Sequence, residues 1–567
     1  MKAAVTDGAN TEFVANFCNK NREKSPYLQR DLSITSIRYL QIVVMIIDRN
    51  FFGFARTGTI SDFKYPLILD STREEMLSMN EEGLKVLGKY IGEAVQRSTD
   101  GSQIENELII GEEIIVIRNA AALLQRSRKF VSAVMDIHEK YGFGRLIYAP
   151  GIADPYLLPV LVYMGISIFD DILMRKMALD GLEATPIGYE EKDDADGSRN
   201  IALCQKIVDT ISTSIERKTL REIVEKYMIS GKSIEILRIL DSEYLDRQLK
   251  VFPRVTPYIR ANDIMSLGRP DLVDYRNKIS SSYNRPDGKD ILLLIPCSAR
   301  KPYSQSESHQ RIIEALSGLR SRVHEVIVTS PVGLVPRDLE SIYPAAFYDI
   351  PVIGKWFEDE KLMINEMLTG YLKRNNYSKI IAFVKDDLNF IRRALPESAT
   401  FINGSVKKHS DLEALRRAVN DAYLSLEKQN MRSEKTQEML SIARFQFGDW
   451  VEPFLRDARV IRSYNQDMFS RSGKVVMVFN REAGKMTITR EIAGFFLKAD
   501  KFVVRIDDFK PTANIYAMGV ESCDPAIRPE DEVVVAFGDE VRGVGIAKMP
   551  AIAMKQLKKG VAVKMRN

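Results

Sequence analysis

The segment Ile291–His309 reads ILLLIPCSARKPYSQSESH, five aliphatic residues in a row followed by a polar loop dense in reactive side chains. An unbroken aliphatic run between Asp290 and Pro296 has the pattern of a strand buried on both faces, as parallel sheets require. The polar loop then falls at the strand's carboxyl end, where ligands bind in open α/β sheets. Outward from this segment the same reading predicts strands at Glu325–Thr329 and Lys379–Val384, with helices near Gln310–Leu319 and Glu360–Arg374. Strands alternating with helices make residues 285–428 a doubly wound α/β unit.

Upstream, the polar stretch Ser280–Lys289 (SSSYNRPDGK) reads as a linker that closes a first unit, residues 1–280. That unit has β-like runs at Leu108–Ile117, Gly144–Ala149, Leu157–Tyr163 and Ile166–Phe169, then a helix through Met174–Ala178. Such alternation argues for an α/β layer or barrel. A charged helical stretch, Thr219–Asp246, is closed by Pro253 and Pro257. Downstream, Leu412–Glu438 reads as one long charged helix, residues 429–499 as a small α+β unit and residues 500–567 as a β-rich module. There is no internal repeat and no low-complexity tract.

At 567 residues the chain exceeds one hydrophobic core, and about 150 residues per domain gives roughly three to five units. A composition of 45% hydrophobic and 28% charged residues belongs to ordinary globular proteins and excludes a disordered chain. With 81 basic against 77 acidic residues, net charge does not mark a nucleic-acid partner, so any RNA-binding face has to be local. Cys18, Cys204, Cys297 and Cys523 are far apart without metal-ligand spacing, which argues against a disulfide scaffold and for a reducing compartment. No basic segment followed by an apolar stretch opens the chain, and runs such as Ile42–Ile47 fall far short of the ~20 residues that span a bilayer. The expectation is a cytoplasmic protein with no membrane association, and a two-fold homodimer on base rates.

The loop after Ile295 offers a thiol (Cys297), an ammonium (Lys301), a phenol (Tyr303), hydroxyls (Ser298, Ser306, Ser308) and an imidazole (His309), beside Pro296. Cysteine is the strongest nucleophile among them, and a nearby cation, Lys301 or Arg300, favours its thiolate. Ser306 or Ser308 can cap the helix that begins near His309. The plainer alternative makes Cys297 a small buried residue at a strand end and His309 a polar cap. Two further strand ends point to the same place. Thr329 runs into Ser330-Pro331, and Val384 runs into Lys385-Asp386-Asp387. Between them Tyr348–Trp356 (YDIPVIGKW) supplies Asp349 and Trp356 as candidate walls of a cleft.

The spacing Pro-Cys-x3-Lys-Pro-Tyr-x2-Ser-x2-His, met by Pro296, Cys297, Lys301, Pro302, Tyr303, Ser306 and His309, resembles the signature of the archaeosine synthases. The stretches TSPVGLVPRDLE and YDIPVIGKW are similar to that family's core domain. Phe169-Asp170 within GISIFDD resembles the nucleophile region of tRNA-guanine transglycosylases, with Asp170 where their attacking carboxylate stands. The transglycosylase zinc pattern is missing, so residues 1–280 look like a diverged transglycosylase (β/α) barrel in which Asp170 has a structural or substrate-contacting role. Residues 500–567 resemble a PUA domain, although the usual glycine before Asp531 is Glu530. Lys548, Lys555, Lys558, Lys559, Lys564 and Arg566 would then form its phosphate-binding face.

The resemblance implies a tRNA-modifying transferase acting on 7-cyano-7-deazaguanine at position 15 of the D-arm. It adds an amine across the nitrile, with free lysine as donor and glutamine or ammonia as alternatives, and a radical enzyme then cleaves the adduct to archaeosine. Cys297, Lys301, Tyr303 and His309 would be catalytic, and Pro296, Ser298, Ser306, Ser330, Asp349 and Trp356 would contact substrate. No cofactor is expected, because the chain has no G-x4-G-K-[ST] loop for ATP and no transglycosylase zinc site. Two other readings stay open: transglycosylase-type base exchange through Asp170, and a non-catalytic tRNA-binding protein.

Overall fold

The computed structural model describes residues 46–60, 63–72, 108–351, 355–427, 433–463 and 466–566. Cys18, most of the Ile42–Ile47 run and Val352–Gly354 lie outside the described residues. The chain is mixed α/β with a strand-rich carboxyl end. No described helix is long and apolar enough to cross a membrane.

In the first unit, a five-stranded sheet has the order Leu67–Leu69, Ile166–Asp170, Leu146–Tyr148, Ile114–Ile117, Leu108–Ile110. The first four strands are parallel, and Leu108–Ile110 pairs antiparallel with Ile114–Ile117. Helix Ser127–Tyr141 makes the crossover between Ile114–Ile117 and Leu146–Tyr148. Two local readings are corrected here. Leu108–Ile117 is a hairpin rather than one run, because Gly111 donates its N–H back to the Ile114 carbonyl at 2.9 Å. Leu158–Tyr163 is a helix, and every residue in it is buried. A segment enclosed on all sides has no polar face, so its sequence carries no helical period.

The second unit is a five-stranded sheet in the order Gly333–Pro336, Val323–Thr329, Ile291–Pro296, Lys379–Val384, Thr400–Asn403. All pairs are parallel except Gly333–Pro336 on Val323–Thr329. Ile291–Ile295 is fully buried at the centre, as its aliphatic run requires. Helix Pro270–Ser281 packs against helix Glu358–Arg374, and its Leu272, Tyr275 and Ile279 share the core of this sheet. The expected long helix Leu412–Glu438 is two, His409–Leu424 and Glu434–Phe447, the second capped by the Ser433 side chain.

Four antiparallel strands between Arg459 and Ile488, with helices Glu434–Phe447 and Arg490–Ala499, form the small α+β unit. The final module is a six-stranded sheet whose strands lie between Val503 and Arg566. Its apolar interior is continuous with that of the first unit.

Candidate active site

The chain passes from strand Ile291–Pro296 to Val323–Thr329 on one side, and only later to Lys379–Val384 on the other. Strand order therefore reverses beside Ile291–Pro296, and the crevice beyond its carboxyl end is where such sheets bind ligands. A cavity of about 330 Å³ lies there, lined among others by Pro296, Cys297, Ser298, Lys301, His309, Ser330, Trp356 and Lys385.

Cys297 and Lys301 both line this cavity. Burial pushes the Cys297 thiol up, while the neighbouring Thr329 hydroxyl and the Lys301 charge act against it. Burial pulls the Lys301 ammonium down, opposed by Cys297 and Asp349. The two shifts move the groups toward each other, a thiol reluctant to ionise beside an ammonium readier than usual to give up its proton. The Lys301 nitrogen sits 3.9 Å from the centre of the Tyr348 ring, a cation–π seat that fixes it near the sulfur.

Beneath the thiol runs a chain of buried hydroxyls. Tyr303 and Tyr348 share a hydrogen bond of 2.5 Å, and Tyr348 and Thr329 share one of 2.7 Å. Burial raises both phenols far above their ordinary range, so they remain protonated. Tyr303 is wholly enclosed, so its place is under the site rather than at the reacting atoms. Thr329 and Tyr348 were not among the candidates from sequence. The signal that marks them is position, Thr329 ending the strand next to Cys297 and Tyr348 standing one residue before Asp349.

His309 has both ring nitrogens engaged. Arg337 donates to Nδ1 at 2.8 Å, which leaves the proton on Nε2, donated to the Pro296 carbonyl at 3.1 Å. Burial, then the Arg337 charge, lower its pKa to about 4. The ring is thereby fixed as a neutral tautomer that pins the end of the signature strand, a positioning role with no free nitrogen for proton transfer. Arg337 in turn pairs with buried Glu325 at 2.6 Å and Glu340 at 2.7 Å. Ser306 is the cap of helix Glu307–Ala315, accepting from the His309 N–H at 3.3 Å, and is not among the residues lining the cavity.

Among the remaining candidates, Ser330 is buried on the cavity wall with an unpartnered hydroxyl. Trp356 packs its ring on Phe390 at 5.6 Å between ring centres and lines the cavity. Ser298 donates to the Arg300 carbonyl at 3.1 Å. Asp349 is exposed and acts on Lys301 through its charge without lining the cavity. Two lining carboxylates are Asp387, exposed, in the Lys385-Asp386-Asp387 loop that sequence places at the site, and Glu360, buried, which was not among the candidates.

Asp170 lies in the first unit, wholly buried at the end of strand Ile166–Asp170. It accepts from the Tyr148 hydroxyl at 2.8 Å and from the N–H groups of Gly151 at 2.9 Å and Ile172 at 3.1 Å. Burial raises its pKa against those bonds. Its carboxylate joins the end of strand Leu146–Tyr148 and the turn at Gly151 to its own strand end and reaches no solvent, an environment that suits the structural one of the two expected roles. Among the described residues no cluster of three or more His, Cys, Asp or Glu is placed to hold a metal ion.

In the last module, Lys555, Lys558 and Lys564 are exposed and Lys559 is half-buried. Lys548 and Arg566 are committed elsewhere. Lys548 pairs with Glu530 at 2.9 Å, and Arg566 pairs with Glu532 at 3.1 Å and donates to the Ile488 carbonyl at 3.0 Å. Both are internal braces rather than free phosphate contacts.

Family models match two parts of the chain, a domain of unknown function (DUF5591) over residues 272–419 and the PUA domain over residues 508–567. The chain is 46% identical over 522 residues to the archaeosine synthase subunit alpha of Thermoplasma acidophilum, covering 92% of this chain and 100% of that one. It is 29% identical to the archaeosine synthase subunit alpha of Methanosarcina acetivorans, over 80% of this chain and 79% of that one. A tRNA-guanine(15) transglycosylase of Methanothermobacter thermautotrophicus is 22% identical over 78% of this chain and 69% of its own length.

Proposed function

The chain belongs to the archaeosine synthase subunit alpha family, tRNA-modifying transferases of archaeosine biosynthesis, and on that premise we propose that the Cys297 cavity holds the 7-cyano-7-deazaguanine of tRNA and adds an amine across its nitrile. The observation that carries this reading is the juxtaposition of the Cys297 thiol and the Lys301 ammonium in one mostly apolar cavity at the strand-order reversal.

The sulfur of Cys297 attacks the nitrile carbon as Lys301 relays the thiol proton to the nitrile nitrogen, giving a thioimidate. The donor amine then forms the C–N bond, the C–S bond breaks, and the proton returns to sulfur. The net change is nitrile plus amine to amidine, with no oxidant and no nucleotide consumed. Thr329 supports the sulfur as negative charge develops on it, and the unpartnered Ser330 hydroxyl is available to the nitrile nitrogen. His309 holds the strand end through Pro296, and Tyr303 holds Tyr348. Trp356 offers a face for the flat base.

The donor in this reading is free lysine attacking through its side-chain amine, with Asp387 on the cavity wall as a partner for an ammonium group. A radical enzyme then cleaves the adduct. The exposed lysines of the PUA module grip a remote part of the tRNA, which helps offset the cost of opening the D-arm and flipping the base.

The test is incubation of the full chain with tRNA bearing the cyano-deazaguanine and radiolabelled lysine, in parallel with glutamine and ammonia. Label on the tRNA with wild type, abolished by Cys297→Ala while tRNA binding stays intact, supports the reading. Normal labelling with Cys297→Ser ends the covalent step. No label from any donor ends the proposal.

A further inference from the structure

We propose that the rim of the Cys297 cavity is a phosphate-binding collar, so that the α/β unit itself grips the RNA strand on both sides of the base being modified. This rests on the reading of the cavity as the nucleobase site and goes beyond it in assigning the flanking backbone. Four separate segments bring cations to the cavity mouth. Arg300 comes from the signature loop, Lys355 from just before helix Glu358–Arg374, Lys385 from just after strand Lys379–Val384, and Lys407-Lys408 from the turn after strand Thr400–Asn403. All five are exposed. Lys355 and Lys385 line the cavity directly, and so does Val406 beside Lys407.

None of the five has a carboxylate partner among the described residues; Arg300 reaches only the Gln305 side chain, at 3.5 Å. Several cations elsewhere in this unit and the next are held in ion-pair networks. Arg320 and Arg337 converge on Glu325, and Lys435 and Arg481 converge on Asp467. Five cations around one opening, against the one exposed lining carboxylate Asp387, leave an excess of positive charge that phosphates complete. A mononucleotide meets one or two such groups. Cations spread over four segments around the mouth fit a ligand with phosphates on either side of the buried base, which is an RNA strand. The exposure of all five also suits a backbone lying across the opening rather than a phosphate drawn into it.

The test uses the full chain and tRNA bearing the cyano-deazaguanine, with dissociation constants measured between 50 and 300 mM KCl in roughly even steps. Lys355→Gln, Lys385→Gln, Lys407→Gln and Lys408→Gln are combined in one variant, with thermal unfolding as the control for folding. The slope of log affinity against log salt is expected to fall in magnitude by about 3, at roughly 0.7 per phosphate contact on a single strand. At about 0.1 M salt that corresponds to a loss of roughly 10²- to 10³-fold in affinity. If the fourfold variant misfolds, Lys407→Gln with Lys408→Gln on the exposed turn is read alone, with an expected slope change of about 1.4. An unchanged slope in a folded variant overturns the collar, and so does a slope that responds only to Lys555, Lys558 and Lys564 in the PUA module. Labelling of wild-type-bound tRNA by lysine is scored separately. Labelling with an unchanged slope sinks the collar alone, whereas a reduced slope with no labelling by any donor sinks the catalytic reading and leaves the collar standing.

Discussion

Thr329→Val removes a single hydroxyl at the foot of the cavity while keeping a branched side chain of similar outline. In the intact protein that hydroxyl lies beside the Cys297 thiol, where it favours the thiolate, and it shares a hydrogen bond with Tyr348 at 2.7 Å. A hydrogen bond to an ionised group contributes about 1.5–3 kcal/mol, and about 1.4 kcal/mol is a tenfold change in an equilibrium. The thiolate fraction at a given pH below the thiol pKa should therefore fall roughly 10- to 100-fold. A more basic thiolate is also a better nucleophile, with a Brønsted coefficient of about 0.4–0.5, which returns nearly half of that loss on a logarithmic scale. The net expectation is a reaction with an aromatic disulfide slowed roughly 3- to 15-fold. The rate is read by mass spectrometry on the peptide carrying Cys297, which separates it from buried Cys204 and Cys523 and from Cys18. Tyr348 keeps its bond to Tyr303, so stability should drop by only about 1 kcal/mol. An unchanged rate across pH 6 to 9, in a variant that melts normally, would show that the hydroxyl does not act on the sulfur.

Three more outcomes follow from the geometry. Burial lowers His309 and His138 to about 4, so each binds a proton less readily folded than unfolded. Stability from each is fully present above about 6.5 and is lost as pH falls through about 4, at about 3 kcal/mol each; His309→Gln should flatten its share of that slope in urea titrations, and an unaltered slope contradicts the assignment. Arg337→Met strands the buried Glu325 carboxylate with only Arg320, and an unfolding free energy reduced by about 3–5 kcal/mol is expected; a change below about 1 kcal/mol would mean the network does not hold the strand end. Asp170→Ala removes the acceptor shared by Tyr148, Gly151 and Ile172, so the melting temperature should fall while label transfer per folded molecule stays within about twofold; a loss of transfer in folded protein would return Asp170 to the chemistry.

The parts of this molecule legible in its sequence are those whose physics is local. Ile291–Ile295 is a strand buried on both faces, and nothing but an aliphatic run satisfies that environment. Cys297 and Lys301 are four residues apart on one loop, so their meeting needed no knowledge of the fold. Ser306 was one of two candidate caps, and its side chain makes the bond. Thr329 and Tyr348 join the site only because strand Val323–Thr329 lies beside Ile291–Pro296 and the short strand Tyr348–Asp349 is held by Ile259–Arg260. No spacing in the chain encodes those pairings. His309 was identified by type, but its role is set by Arg337, 28 residues away, which occupies the nitrogen a catalyst would need. Leu158–Tyr163 looks extended from sequence because full burial erases the polar face by which a helix is recognised.

Glu530 stands where the PUA pattern has a glycine, and its backbone adopts φ +72°, a left-handed conformation that costs a residue with a Cβ about 1–2 kcal/mol. Its carboxylate is held by Lys548 at 2.9 Å and by Lys218 of the first unit, and its carbonyl accepts from Lys485 of the small unit at 2.7 Å. Arg254 of the first unit adds a two-pronged grip on Asp531 at 2.8 and 3.1 Å. The PUA module is therefore bolted to two neighbours at one strained corner instead of trailing on a tether. Its exposed lysines are thereby fixed relative to the first unit and the small unit, as the jaw of a locked caliper is. On the proposed reading of those lysines and the Cys297 cavity, tRNA is gauged by the span between two of its parts, and one with a shortened or lengthened arm is expected to fail to seat its base however well its local sequence matches.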